Sequence, residues 1–457
     1  MASGSSFPTF RIAWRFLRES GPRVERAAVE LERWVAGGKL RERFVAIGPR
    51  FEGLQDRPVL LWLIFFVLVC TRACLWLANA QFYIEDGTQF YGRAYSEGAA
   101  TLVSPYASYY HLWPRLFALF AVRLPLRFGP ITLELLALAV QALAATFFAS
   151  RLLEKQIPSA AGRWVCGFAV IAFPYSNELF GNVAHSQWYL ALVSLVIICG
   201  AAPASLLARI GEYAMLAMNC LTGPFAPVLA GIGWSKWRGD PKRFAVAIVA
   251  SLAAVPTVAA MIARPRSGMP HRWRMSLFYR VVANQVVFGP LGGFRYAYSR
   301  EYDPFFNWPE FGAALFAAFT FAWALRQLPP FARALSLLGF FSFLASLDSK
   351  VSWILIGAPG VGERYFFFLG LAMILCVWQC SRTMPFATLR WFYRLLLAIC
   401  AIATIVNWVY APPFSRFNYA PQIAGFDALK PGETLEIQFP IDRKGSKPHW
   451  TLEIKKK

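Results

Sequence analysis

Charge is what this sequence has least of. Only 16% of its 457 residues are Asp, Glu, Lys or Arg, against about 25% in a soluble domain, while 57% are hydrophobic. That balance excludes a soluble globular chain. Acid is scarcer than base, with 25 Asp and Glu against 46 Lys and Arg, and the formal net charge is +21. The basic residues are dispersed between hydrophobic runs, as in the Lys/Arg excess of cytoplasmic membrane loops, so nucleic acid is not an expected partner. No P-loop or Gly-rich dinucleotide motif is present, which removes the common signatures of nucleotide chemistry. No apolar signal-peptide core opens the chain. Clear internal repeats, which mark many transporters, are missing too. The cysteines Cys70, Cys74, Cys166, Cys199, Cys220, Cys376, Cys380 and Cys400 all fall in apolar stretches. Cys376 and Cys380 share a helix face, but nothing nearby completes a metal set, and all eight read as small buried hydrophobes.

Long apolar runs are what fill the sequence instead. Residues 1–57 are polar and Arg-rich, with helical patterning around Val24–Val35, suited to a cytoplasmic surface and to anionic headgroups. The first span runs from Val59 to Ala78, close to the ~20 residues that cross the hydrocarbon. Further spans centre on 131–150, 164–177, 187–202, 205–222, 224–235, 244–263, 310–326, 334–357, 365–381 and 391–411. The pattern predicts an all-α polytopic membrane bundle of about eleven helices over residues 58–411. Breaks at Thr222-Gly223-Pro224 and Ser346–Lys350 imply a cavity, because irregular backbone at membrane depth needs protein or water around it. In the tail, 412–457, the stretches Glu433–Phe439 and Trp450–Ile454 alternate about a Lys444-Gly445 turn signal. They predict a β-hairpin docked on the outer face and covering the cavity mouth, an isolated hairpin being marginal in water.

Orientation follows from the short loops. Arg151/Lys155/Arg163, Lys236/Arg238/Lys242/Arg243, Arg326/Arg333 and Arg382/Arg390 alternate with the other connections. The positive-inside rule then places the N-terminus in the cytoplasm and the C-terminus outside. The outer side receives the loops 79–130 and 264–309, the turns 178–186 and 358–364, and the tail. Unusual polar residues gather on that side: Glu85-Asp86; Tyr106, Tyr109, Tyr110, His111 and Arg115; Asn177, Glu178, Asn182, His185 and Trp188; Glu363, Arg364 and Tyr365. His271 and His449 also map there. Arg72 lies deep in the first span, where a charge is costly and turns to the bundle interior. Arg264, Arg266, Arg272 and Arg274 suit a headgroup-facing run.

An enzyme on that face has no cytoplasmic nucleotide-sugar supply and needs a donor that arrives in the membrane, as lipid-phosphate-linked sugars do. Glu85 or Asp86 can deprotonate an acceptor hydroxyl. Arg364, Arg115 or His111 can bind the departing phosphate. The two carboxylates can alternatively hold a divalent cation, Mg or Mn, that neutralises it. His185, Tyr106, Tyr110, Asn182, Trp188, Tyr365 and Glu363 supply further polar and aromatic contacts. The bland readings are a helix-capping role for the acid pair and interfacial anchoring for the aromatic residues.

The acid pair after the first span, the aromatic loop that follows and the Arg-Tyr opening a late helix resemble the GT-C superfamily of polyprenyl-phosphate-sugar-dependent glycosyltransferases. Glu85-Asp86-Gly87, the stretch from Pro105 to Arg115 and that from Asn182 to Trp188 further resemble a bacterial branch of membrane proteins. The resemblance implies a GT-C-like fold in a bacterial inner membrane, with Asp86 or Glu85 as the catalytic carboxylate. It also implies a polyprenyl-phosphate-linked sugar as donor and an envelope glycan or lipid as acceptor, with membrane lipids as further partners. The competing class is a transporter or flippase of lipid-linked glycans.

Overall fold

The computed structural model of the chain describes residues 30, 52–83, 85–236, 241–264, 275–298, 308–347, 362–409, 419–439 and 450–457. Outside them lie most of Val24–Val35, Arg266, His271, Arg272, Arg274, Asp348–Lys350, the Lys444-Gly445 turn and His449.

Of the described residues, 76% are helical. Each of the eleven apolar segments read from the sequence carries a helix, from Pro58–Arg72 through Gly129–Ala149, Ala160–Ala172 and Ser186–Cys199 to Glu363–Thr383 and Ala387–Val409. Four stretches among the described residues are long and apolar enough to cross a membrane: Leu126–Ala149, Arg243–Ala263, Glu363–Thr383 and Ala387–Val409. Pro58–Arg72, Ala160–Ala172, Ser186–Cys199 and Pro330–Ser346 are apolar but shorter.

The surface of these helices is apolar as well. Val59, Leu63 and Val67 are exposed at helical spacing, as are Leu252, Val255 and Ile262, and Leu395, Ile399, Ile402, Ile405 and Val409. Stripes of that kind over several helices exceed what a soluble monomer shows to water, and hydrocarbon is the solvent that matches them. Five cysteines are buried as expected, but Cys70 and Cys166 are half-buried and Cys74 is exposed, because their turns of helix lie on outward faces.

The two largest packed clusters make most of the core. One gathers around Ser186–Cys199, a helix with every residue buried, and its neighbours Gly129–Ala149 and Glu363–Thr383. The other lies between Glu363–Thr383, Trp308–Ala324 and the segment 281–291. Inside the latter, Arg280 Nε and Glu310 Oε2 form a buried ion pair at 2.9 Å, and Asn284 Nδ2 donates to Glu310 at 3.3 Å.

The tail forms the antiparallel hairpin Thr434–Phe439 and Trp450–Lys455, with Thr434 opposite Lys455 and Phe439 opposite Trp450. Its inward residues Ile437, Phe439, Leu452 and Ile454 pack with Phe82, Tyr91, Leu126, Val183 and Tyr419. Beneath it lies the π-helix Asp86–Gly92. A Cβ at Gly87 would sit 2.7 Å from the Phe439 ring, and one at Gly92 would sit 2.6 Å from Leu452 Cδ1. These two glycines let the hairpin lie flat on the acid-pair helix.

Gly87→Ala is therefore expected to lower the thermal midpoint of the purified chain, at about 1–3 kcal/mol for overpacking. Gly312→Ala, in a helix with nothing within 4 Å of the added carbon, should leave it unchanged or raise it slightly. Equal shifts for the two would mean that the hairpin does not rest on Gly87.

Candidate functional site

Between the helices Ala160–Ala172 and Ser186–Cys199 the chain runs irregularly through residues 173–185, almost wholly buried. No helix supplies partners for these backbone groups, and a buried unpaired one costs about 1–3 kcal/mol. Side chains from distant positions supply them. Arg72 Nη1 donates to Ile171 O at 2.6 Å, and Nη2 to Phe173 O at 3.2 Å and Ser176 Oγ at 3.3 Å. Arg72 thereby closes the carbonyl end of Ala160–Ala172, where a cation also meets the negative helix end. Its guanidinium stacks 4.4 Å from the Phe180 ring.

Asp86 does the corresponding work on the amide side. Its Oδ1 accepts from Ala184 N at 2.9 Å and its Oδ2 from Val183 N at 3.1 Å. Both oxygens are engaged and the residue is buried. Burial pushes its carboxyl up to about 7, against the two backbone bonds and with a contribution from Glu85. Glu85 differs from its neighbour. It is half-buried, and its Oε2 is enclosed without a hydrogen-bond partner among the described residues. Its charge bears on both His185 and Arg364.

His185, preceding Ser186–Cys199, has Nδ1 at 2.7 Å from Glu178 O. A carbonyl only accepts, so Nδ1 carries the proton and the neutral ring presents a lone pair at Nε2. Burial and the Arg364 charge hold the imidazole below its ordinary value, against the pull of Glu178 and Glu85. Asn182 Oδ1 accepts from His185 N at 3.3 Å, leaving Asn182 Nδ2 enclosed and unpartnered among the described residues. Trp188 packs edge-on to His185 with ring centroids 5.4 Å apart. Its Nε1 is likewise without a partner among the described residues.

Arg364 is committed elsewhere. Its Nη1 pairs with Glu178 Oε1, its backbone N donates to Glu178 Oε2 at 3.2 Å, and its guanidinium lies 5.0 Å from the Tyr365 ring. Glu178 N in turn donates to Glu363 Oε2 at 3.3 Å. Glu178 and Glu363 thus lock the 173–185 segment to the start of Glu363–Thr383.

The loop residues form the other wall. Tyr106 and Tyr109 pair across a turn in which Ala107 and Ser108 have φ of 52° and 72°, a left-handed geometry that non-glycine residues seldom adopt. His111 stacks on Tyr109 at 4.6 Å and lies 5.6 Å from Tyr106 and 5.4 Å from Phe90. Tyr110 joins through its carbonyl, which accepts from Gly223 N at 2.8 Å. This ties the loop to the Thr222-Gly223-Pro224 break. Arg115 faces Phe90 at 5.9 Å and is 1% exposed. None of its three guanidinium nitrogens has a hydrogen-bond partner among the described residues. Glu97 acts on it, but already pairs with Arg93 at 2.8 Å. Burial lowers the Arg115 guanidinium to about 10, Arg93 adding and Glu97 opposing.

The contacts tie Asp86, His185 and Arg364 to the 178–185 segment, and His111 and Arg115 to Phe90. Sequence reasoning left two out and one unpaired. Glu178 lay in the flagged turn without being paired with Arg364, and Phe90 and Gln187 were passed over. Gln187 Nε2 donates to Tyr109 Oη at 3.4 Å. The spacing of an acid in one turn against an arginine at a helix start was the available signal for Glu178; Phe90 and Gln187 had none. Asp86 gives each carboxylate oxygen to one amide, and Glu85 keeps an enclosed oxygen without a hydrogen-bond partner among the described residues. Among the described residues no three His, Cys, Asp or Glu side chains gather around a common point. Comparison of the chain with protein-family models, curated proteins and solved structures finds no match.

Burial raises the Asp86 carboxyl to about 7 in the fold, well above the ordinary carboxylate range, so the folded state holds a proton that the unfolded state has lost between these values. That contribution to stability is complete below the unfolded value and is lost as pH rises through about 7, by ~1.4 kcal/mol per pH unit between them at most. The thermal-midpoint advantage of wild type over Asp86→Asn is expected to be smaller at pH 8 than at pH 5. An advantage that grows with pH would show that Asp86 folds as a carboxylate.

Proposed function

We propose that the chain is a GT-C-like membrane glycosyltransferase that moves a sugar from a polyprenyl-phosphate donor to an envelope glycan or lipid acceptor. It works on the outer side of a bacterial cytoplasmic membrane, with about eleven spans and the N-terminus inside. The observation that carries this reading is Arg115: a buried guanidinium with no hydrogen bond among the described residues, in the same chain fold as an unpartnered carboxylate oxygen of Glu85. A buried cation left without an anion is costly, and a phosphate placed against it answers that cost with charge-assisted hydrogen bonds.

Glu85 is the base in this scheme. The acceptor hydroxyl attacks the anomeric carbon as the bond from that carbon to the phosphate oxygen breaks. The bonding pair leaves with the phosphate, and Glu85 takes the hydroxyl proton. Arg115 stabilises the charge that grows on the phosphate. His185 Nε2, held as an acceptor by the Nδ1 bond to Glu178 O, orients a sugar or acceptor hydroxyl. Asp86, Glu178, Glu363 and Arg364 position these groups without touching the reacting atoms, and Tyr106, Tyr110, Trp188 and Tyr365 shape the surroundings. The transporter reading loses Arg72, which is occupied with carbonyls, and keeps the buried Arg280–Glu310 pair as its observation.

The test uses the purified chain in vesicles with a panel of polyprenyl-phosphate hexose and pentose donors and a lipid-linked glycan acceptor. Glu85→Gln is expected to lower transfer about 10²–10⁴-fold with donor binding retained, and Arg115→Met to weaken donor binding. Absence of transfer from every donor, together with movement of the lipid-linked sugar between leaflets, would replace the enzyme by a transporter.

A further inference from the structure

Among the described residues, the side-chain hydrogen bonds that tie the helix Leu206–Cys220 to the rest of the bundle all lie near Cys220. Asn219 Nδ2 donates to Leu190 O at 3.3 Å, Asn219 Oδ1 accepts from Trp113 Nε1 at 2.9 Å, and Cys220 O accepts from Thr257 Oγ1 at 3.4 Å. The buried residues of this helix are Leu216, Asn219 and Cys220. At helical spacing the stripe they form continues through Glu212 and Arg209 towards the start of the helix. There it is uncovered: no residue of 206–215 is buried, Leu206, Leu207 and Ile210 are exposed, and a Cβ at Gly211 would meet nothing within 4 Å. One face is thus closed at the Cys220 end and open two turns earlier. That leaves a wedge between helix and bundle, with Arg209 and Glu212 on its wall.

Arg209 and Glu212 carry opposite charges one turn apart, yet they form no ion pair, and neither side chain bonds to another residue among the described ones. The Nε of Arg209 is enclosed without a hydrogen-bond partner. Ionisable groups among apolar helices are costly and are kept where a partner answers them. Side chains lean towards the start of their helix, and Arg209 and Glu212 stand roughly 6 and 10 Å along it from Ser205. Both therefore reach towards a headgroup layer ~5–8 Å thick. An occupant suited to the pair brings an anion for the guanidinium and a cation for the carboxylate, within the ~5–6 Å that separates neighbours on a helix surface.

We infer that this wedge binds one phospholipid with a phosphate and a primary ammonium in its headgroup, the phosphate on Arg209 and the ammonium on Glu212. Charge complementarity selects it. An anionic lipid leaves the carboxylate unanswered, and a quaternary ammonium has no N–H to donate to it. The membrane is the source, since the exposed residues around the wedge are apolar and Leu207 is 81% exposed, a surface that hydrocarbon covers. The inference does not rest on glycosyl transfer.

Native mass spectrometry of the full chain, exchanged among phosphatidylethanolamine, phosphatidylglycerol and phosphatidylcholine, tests it. Wild type is expected to retain one phosphatidylethanolamine in preference to the other two. Glu212→Gln should raise the half-saturating concentration of phosphatidylethanolamine about tenfold, the worth of a hydrogen bond to a charged group, and leave that of phosphatidylglycerol unchanged. Arg209→Gln should weaken all three lipids about tenfold. Arg326→Gln/Arg382→Gln, on other segments, should change nothing. Where either wedge variant lowers the thermal midpoint in pure phosphatidylcholine, the lipid preference of wild type decides. Equal retention of the three lipids by wild type, the outcome if Arg209 and Glu212 pair with each other, overturns the inference. So does a phosphatidylethanolamine preference that survives Glu212→Gln. Displacement by millimolar phosphoethanolamine would make the site one for a soluble zwitterion, and self-association that Glu212→Gln abolishes would give the face to a second copy. Either overturns the lipid assignment.

Discussion

Backbone that is buried but not helical has to find its hydrogen-bond partners in turns and side chains, and residues 173–185 impose that requirement on much of this molecule. Arg72 serves the carbonyls at one end, Asp86 the amides at the other, and Glu363 the amide of Glu178 between them. His185 takes the Glu178 carbonyl. Each of these residues comes from a different part of the chain, so satisfying one irregular segment fixes the relative positions of the first helix, the acid-pair helix and Glu363–Thr383. Loss of one anchor leaves a buried polar group unpaired at about 1–3 kcal/mol, so the set is held together rather than residue by residue.

That requirement separates scaffold from chemistry among residues of similar appearance. Asp86 and Glu85 are adjacent acids, but Asp86 is consumed by two amides while Glu85 keeps an unpartnered oxygen. Arg364 is a half-buried cation paired with Glu178, whereas Arg115 is buried and hydrogen-bonds to nothing among the described residues. A group whose hydrogen-bonding capacity is spent on the fold has little left for a substrate. Unspent capacity in a buried place is what a ligand can use. The β-hairpin belongs to the same arrangement, since it covers the helix that carries Glu85 and Asp86 through the space left by Gly87 and Gly92.

Composition alone pointed to the solvent. So little charge and so many apolar runs suggest hydrocarbon around the helices, whose positions were legible because hydrophobic transfer is a local, additive property of a segment. The hairpin strands were legible for a similar reason, as period-two alternation is written along the chain. The gathering of acids, histidines and arginines at one end could also be read, because loop position follows from segment order. Pairing could not. Glu178 with Arg364, Asp86 with Val183 and Ala184, and Arg72 with the carbonyls of Ile171 and Phe173 join positions about 100 to 190 residues apart. Which of two neighbouring acids is spent on an amide depends on a backbone path that no local pattern encodes. The sequence by itself determined the apolar helical segments and the hairpin strands. Only the tertiary structure decided which charges remain open, because hydrogen-bond satisfaction is a property of three-dimensional neighbours.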